Sequence, residues 1–390
     1  MTTRALPIAD GDLLDQDRLR ELQSQHWVAT SDRGYEVFSY AEGFQVLEHP
    51  KLLKGPSFVY RIDQLGLEGD AGRYFRMVLP ATEGEYRRKL RAPIGALFRP
   101  SQVAKLRDAV RGIVRDLVAE IDAESPIDLM EQLCWVLPAQ TYCHLVSMPF
   151  DLAPTVRRIG DQVAGTLLRV DHDRVGEMEA AILEAVDLVR EHLDARRANL
   201  GDDFSSAMIR QQMDGMLTEE ELLVEALSVI NASVDNTAHQ MGNVFGAMLT
   251  DRTRWEAYLA DRSLAASMIE ETIRMYPRFG TIFRLASEDV TVADQTFPEG
   301  SWIFVSVRAA QRDPARFERP DEFDWTRSPA RQVMFGAGTY NCLGQNLARL
   351  EIEEALAAVA DRFPDISLSA PWEQTIHDAV SETSRLIARA

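Results

Sequence analysis

The run FGAGTYNCLGQNLARLE, from Phe335 to Glu351, places Cys342 in a glycine-rich loop directly ahead of a helix-like stretch. The chain has three cysteines in 390 residues, so a thiol at this place asks for a chemical reason. Leu343, Leu347 and Leu350 are spaced as one face of a helix, with Cys342 at its N-terminus. There the free N–H groups and the helix dipole favour a thiolate. Gly336, Gly338 and Gly344 permit backbone conformations and close approaches that side chains would block. A thiolate so placed can ligate the iron of a large flat macrocycle. Two other readings of the same residues stay open. Cys342 could be a buried structural thiol. It could also be a nucleophile, although no paired histidine signature accompanies it.

Three further groups have chemistry in their spacing. Glu271 and Arg274, in EETIRMYP, stand three apart on a helical pattern, which is ion-pair spacing. Asp235 lies in the mid-helix run NASVDNTAH, where a carboxylate either faces solvent or, if buried, must be partnered. YRRKLR, at Tyr86–Arg91, is a basic cluster in a chain of net charge −19, with Arg99 just beyond. It reads as a solvated helix face or as a docking site for an acidic protein.

Phe335, Gly338, Cys342 and Gly344, in this order and spacing, resemble the haem-binding loop of the cytochrome P-450 family, the haem-thiolate monooxygenases, in its soluble bacterial class. LGQNLARLE resembles the helix that follows the ligand there. The resemblance implies haem b with Cys342 as its iron ligand and with Phe335, Gly336, Tyr340 and Gly344 around it. Tyr340 departs from the family, which usually has a basic residue there to meet a haem propionate. A phenol can still donate a hydrogen bond. Glu271 and Arg274 match the family's Glu-x-x-Arg motif, and Arg327, in PDEFDWTR, is the implied third member of a buried network. FRLASEDVTV resembles the strand whose arginine binds a propionate, here Arg284. Counting back from Phe98, Arg87 and Arg91 take the places of a helix pair that reaches a propionate. A register shift of one would put Tyr86 first.

NASVDNTAH resembles the family's oxygen-activating stretch, roughly Ala-Gly-x-Asp/Glu-Thr-Thr. Ala232 fits, Ser233 replaces the glycine, and Asp235 is the acid. Asn236 stands where the alcohol-bearing threonine is expected, and Thr237 follows. The implied substrate pocket uses Val229, Ala232, Ser233, Phe279 and Ile282, with loop Gly55–Ala81. Polar Asn231 and Thr281 beside them suggest a medium-sized, partly oxygenated molecule. The implied activity is insertion of one atom of O2 into an organic substrate, as in secondary metabolism. The sequence carries no resemblance to an appended reductase, so electrons are expected from a separate ferredoxin or flavodoxin with its NAD(P)H reductase. Arg87, Arg88, Lys89 and Arg91 would form part of the docking face. Alternatives are a peroxide-driven or rearranging enzyme of the same fold, or a non-catalytic haem-binding or recruitment protein.

These groups need elements to hold them. Apolar residues at threes and fours predict helices over Ser101–Ile121 and Met178–Leu193. A capping box, Thr218 to Glu221, opens a proline-free run to Asp251, which predicts one helix of about eight turns crossing the domain. Strand-like pieces are short. YEVFSY is one, and VTVADQTFPEGSWIFVSV reads as a hairpin turning near Pro298–Gly300. The expected fold is mainly α with small β-sheets, a single domain over residues 1–390. Hydrophobic residues at 46% and charged residues at 26% suit a globular protein. No apolar run approaches the roughly 18 residues of a membrane span. The acidic start, MTTRALPIADGDLLDQDRLRELQ, lacks an apolar leader, so a cytoplasmic place is expected. Three widely spaced cysteines make neither a disulfide framework nor a zinc site. The strong negative charge argues against nucleic acid as a partner.

Overall fold

Helical periodicity is realised along most of the chain in the computed structural model, which describes residues 13–377 and 379–390. The reading of the extreme N-terminus as leaderless lies partly outside the described residues. Five helices matter for the site. They are α1 (Gly84–Leu97), α2 (Glu219–Ser233), α3 (Asp235–Thr250), α4 (Ala265–Met275) and α5 (Gln345–Arg362). The pattern at Met178–Leu193 widens to Val175–Arg197. The one at Ser101–Ile121 divides into Pro100–Val103, a tight turn at Ala104–Leu106, and Arg107–Glu120.

The single long helix expected over the Thr218–Asp251 run is corrected. The capping box forms, with the Glu221 N–H on Thr218 Oγ1 at 3.2 Å and the Thr218 N–H on the Glu221 carboxylate at 2.8 Å. The helix then breaks at Val234, with φ −94° and ψ −66°. Just ahead, Ser228, Asn231 and Ser233 each donate to the carbonyl four residues back, at 3.0, 2.9 and 2.6 Å. Side chains that bond back in this way compete with the backbone ladder and bend helices.

Among the described residues, twelve short strands form four sheets. The largest has the order β1-β2-β8-β5-β3, built from Val28–Ser31, Gly34–Val37, Trp302–Ser306, Thr281–Ala286 and Leu52–Leu53. A second has the order β4-β12-β9, from Ile127–Asp128, Ile387–Arg389 and Ser367–Leu368. β6 (Val290–Val292) pairs with β7 (Gln295–Phe297), and β10 (Glu373–Ile376) with β11 (Ser381–Arg385). The predicted hairpin is therefore misplaced. The chain turns at Ala293–Asp294, with Ala293 at φ +50°, and the stretch through Pro298–Gly300 instead leads β8 into the large sheet. One continuous apolar core runs from Val28 to Ala388. No helix among the described residues is long and apolar enough to cross a membrane.

Candidate functional site

Cys342 sits one turn ahead of α5, with Gly344 at the helix cap. Its N–H donates to the Phe335 carbonyl at 2.8 Å, which closes the loop on itself. Gly336 and Gly338 take φ +68° and +61°, a region that favours glycine, whereas Gly344 is right-handed with open space beside it. The sulfur is exposed by area, yet protein surrounds it densely, so its exposure is toward the molecule's interior. Burial pushes the thiol above its ordinary value. The N–H groups of Gly344 and Gln345 and the charges of Lys54 and Arg91 pull it back. Phe335 is half-buried under the Arg349 guanidinium, 4.5 Å from its ring centre, and Arg349 is itself paired with Glu270.

Arginines from distant elements converge on this loop. On α1, Arg87 is 5% exposed and bonds the carbonyls of Leu79 and Thr339. One turn on, Arg91 bonds the Asn341 carbonyl at 2.6 Å. Tyr86, the other register, points outward at 40% exposure. Arg284, on β5, is fully buried, and its Nε has no partner. The Tyr340 ring lies beneath both Arg87 and Arg284, at 4.7 and 4.8 Å. Its hydroxyl donates to Glu83, whose carboxylate also takes the Gly55 N–H. The phenol is thus committed to Glu83, and its ring, rather than its O–H, serves the two arginines. Burial and Glu83 push Tyr340 up to about 12.

Lys54 joins this group. Burial, with Arg87, Arg284 and Arg91 nearby, drives it down to about 7. Burial also lowers Arg87 and Arg284 to about 10. None of these four cations makes an ion pair with a carboxylate among the described residues. Glu83 and Glu225 lie close enough to act on these arginines without pairing with them, so a buried positive cluster with no carboxylate in direct contact calls for an anionic ligand.

The expected basic docking patch is corrected at Arg87 and partly neutralised at Lys89. Arg87 faces inward, and Lys89 is held by both carboxylate oxygens of Glu221 at 2.6 Å. Lys89 stays exposed although paired, and Arg88 is exposed and only loosely paired with Glu85 at 3.5 Å. Arg91 is half-buried.

At the break between α2 and α3, Ala232 is exposed and Asn236 is half-buried with its Oδ1 unpartnered. Thr237 is buried. Asp235 is 1% exposed and paired with Arg278 at 2.7 Å, which excludes the solvent-facing reading. His239, one turn along, brings Nε2 to 3.6 Å from the other oxygen. Phe279 bridges to Val380, and Ile282 lies half-buried on β5. Val229 is buried, and its carbonyl takes the Ser233 hydroxyl.

Glu271 and Arg274 form a two-pronged buried pair, both contacts at 2.8 Å. Arg274 also bonds the carbonyls of Gln311, Pro320 and Glu322. Arg327 Nε reaches Glu271 at 3.1 Å, and the Asp324 N–H joins at 2.8 Å. The three residues grouped in the sequence reading are therefore in contact.

Lys54, Glu83, Arg278 and His239 were missed. Lys54, Glu83 and Arg278 are lone polar residues outside any spaced pattern, whereas His239 stands four residues after Asp235, a helical spacing that was available. Glu225 was also missed. It lies on α2, fully buried with both oxygens unpartnered, and burial pushes it up to about 8. A carboxylate at the centre of a helix pattern, aligned with Glu221 one turn earlier, was the available signal.

The family model described as Cytochrome P450 matches residues 148–367. Luteothin monooxygenase of Streptomyces thioluteus is 28% identical over 368 residues, 93% of this chain and 90% of that one. Mycinamicin IV hydroxylase/epoxidase of Micromonospora griseorubida is 31% identical, over 88% of this chain and 85% of that one. Among solved structures, the P450 enzyme CxnD for C–S bond formation in chuangxinmycin biosynthesis superposes with a TM-score of 0.87 at 26% identity. That match covers 100% of this chain and 98% of the other. CalO2 superposes at 0.90 with 25% identity, covering 100% and 99%.

Proposed function

This chain belongs to the cytochrome P450 family and is a haem monooxygenase, and from that premise we propose that it inserts one atom of O2 into a medium-sized, oxygenated secondary metabolite. The electrons would come from a ferredoxin or flavodoxin with its NAD(P)H reductase, in the cytoplasm, with the whole chain acting as one domain. One observation carries the reading. An interior-facing sulfur at a helix N-terminus lies beside four buried or half-buried cations that lack carboxylate partners.

Those residues fit a haem. Cys342 would hold the iron, since a coordinating thiol is deprotonated outright. Arg87, Arg91, Arg284 and Lys54 would take the two carboxylates, and the orphaned Arg284 Nε supplies a free donor for one. Bound in this way, haem supplies oxygen activation, and its thiolate ligand favours O–O cleavage. Phe335 and Gly344 leave a flat approach beside the sulfur. Val229, Phe279 and Ile282 exclude water and orient the substrate, with Ala232 and Ser233 facing it. Asp235, Asn236 and Thr237 hold the proton-delivering side. Asn236 does this by positioning water or a substrate oxygen through its unpartnered carbonyl.

The test of this reading is a panel of macrolides, other polyketides and aromatic acids, scored by the low-to-high spin shift. Hits are then turned over with ferredoxin, reductase and NADPH under 18O2. One labelled oxygen per product is expected. Product without label, or equal turnover with peroxide and no reductase, would favour the peroxide-driven alternative. Two variants extend it. Asn236→Ala should lower product per NAD(P)H consumed by about tenfold while leaving haem content intact. Asn236→Thr should be milder. Uncoupling by Thr237→Ala with normal coupling in Asn236→Ala would reassign the role to Thr237. Arg88→Glu should slow reduction by ferredoxin, more at low ionic strength than at high. Rates that do not change with salt would remove Arg88 from the docking face.

A further inference from the structure

Arg278 is a buried charge tied to two elements by its backbone and both terminal nitrogens, with its Nε left unpartnered. It follows Pro277 in the segment between α4 and β5 and is fully buried. Its Nη2 donates to Asp235 Oδ2 at 2.7 Å, and its Nη1 to the Ser381 carbonyl at 2.8 Å. Its backbone N–H donates to Gln240 Oε1 at 2.9 Å, and its carbonyl accepts the Ser381 N–H at 2.8 Å. One residue therefore bonds α3 twice and β11 twice. The groups facing the pair are His239 on α3, beneath the edge of Trp135, and Glu382 on β11, 3.5 Å from Nη1. Arg169 and the half-exposed His377 lie beyond Glu382, at 2.9 and 3.7 Å.

The location gives this knot a purpose. Asp235 is the first residue of α3, immediately after the break at Val234. A free break leaves the first turn of the new helix without its upstream ladder, and the Asp235–Arg278 pair anchors that turn. Asn236 is the next residue. On the other side, Phe279 adjoins Arg278 and bridges to Val380, which adjoins Ser381. Arg278 thus ties the turn carrying Asn236 to the strand end where Phe279 bridges to Val380. A fork with several donors suits such a junction, because its plane fixes direction as well as charge.

We propose that Arg278 is a positioning residue for the monooxygenase reaction, setting the Asp235–Asn236 turn against the pocket residue Phe279, which is bridged to Val380. The proposal rests on the reading of Asp235 and Asn236 as the proton-delivering side, and it assigns the geometry of that side to a residue that does not itself touch the substrate.

The test uses holoenzyme carrying Arg278→Met, Arg278→Lys, Asp235→Asn, or Asp235→Asn with Arg278→Met. Haem content and the ferrous CO spectrum are checked first, so a lost cofactor is told apart from a displaced turn. Hydrogen–deuterium exchange then reports the amides of Asn236–His239. In Arg278→Met these should exchange about tenfold faster or more, with Arg278→Lys partly restoring protection. Cumene hydroperoxide is the chemical probe, with guaiacol giving one electron and one proton per molecule. Heterolysis followed by reduction by two guaiacols gives 2-phenyl-2-propanol and water, whereas homolysis gives a cumyloxyl radical that splits into acetophenone and a methyl radical. Arg278→Met should lower the alcohol-to-ketone ratio by about tenfold, and Arg278→Lys by less. An unchanged ratio and unchanged exchange in a fully haem-loaded Arg278→Met would overturn the proposal. If that single variant fails to fold, the double variant removes both charges together. Wild-type exchange and ratio in it would equally overturn the assignment. A shifted ratio in Asp235→Asn alone, with Arg278 silent, would leave the proton-side reading standing and discard Arg278.

Discussion

Glu271→Ala is expected to remove about 3–5 kcal/mol of stability, because it strands a buried guanidinium. Arg274 is 2% exposed, and the lost carboxylate accepts from three sources: both prongs of Arg274, Arg327 Nε and the Asp324 N–H. The carbonyls of Gln311, Pro320 and Glu322 would still face Arg274, yet carbonyl dipoles do not neutralise its charge. Domains are stable by only about 5–15 kcal/mol, so the loss should appear as little soluble holoprotein. Denaturant midpoint and haem content per chain measure it. Normal yield, haem content and midpoint would show that the pair contributes no net stability.

Cys342→Ser should abolish the strongly red-shifted Soret band of the ferrous CO complex, since that band needs a thiolate ligand. The fold should survive, because the loop is closed by the Cys342 backbone N–H rather than by its sulfur. The other two cysteines are the controls. Cys134 and Cys143 are fully buried, and burial pushes both thiols far up, so neither offers a thiolate. Cys134→Ser and Cys143→Ser should keep the band, at a cost in stability of about 1–3 kcal/mol each from burying a hydroxyl. A red-shifted band surviving in Cys342→Ser would move the ligand elsewhere.

What could be read beforehand follows from how each feature is encoded. The cysteine loop was legible because its glycines and thiol sit at fixed local spacing. The Glu271–Arg274 pair was legible for the same reason, being one helical turn. The basic cluster misled because YRRKLR looks uniform in one dimension. On a helix, successive residues turn by about 100°, so Arg87 and Arg91 face the loop while Arg88 faces out. The break at Val234 carries no proline. It arises from serine and asparagine side chains bonding backward, a competition invisible to periodicity. The turn at Ala293–Asp294 lacks the Asn-Gly signal that marks tight hairpins. Arg278 and Lys54 owe their surroundings to residues far along the chain, which no local pattern can announce.

The wiring of the sheets has a consequence for biosynthesis. The loop around Cys342 is completed by an arginine 250 residues upstream, through the contact of Arg91 with Asn341. At about 5–20 residues per second, a ribosome takes roughly 12–50 s to cover that interval. Throughout it, Arg91 has no Asn341 carbonyl to meet and Arg87 no Thr339 carbonyl, and no emerging segment can offer a complete pocket. β4 waits longer still, since its partner β12 pairs Ile387 with Asp128. Cofactor capture is therefore a late event in the life of each chain, following synthesis rather than guiding it. In a cell making this protein quickly, the supply of haem should limit the yield of active molecules, while the half-made chain depends on its early helices for solubility.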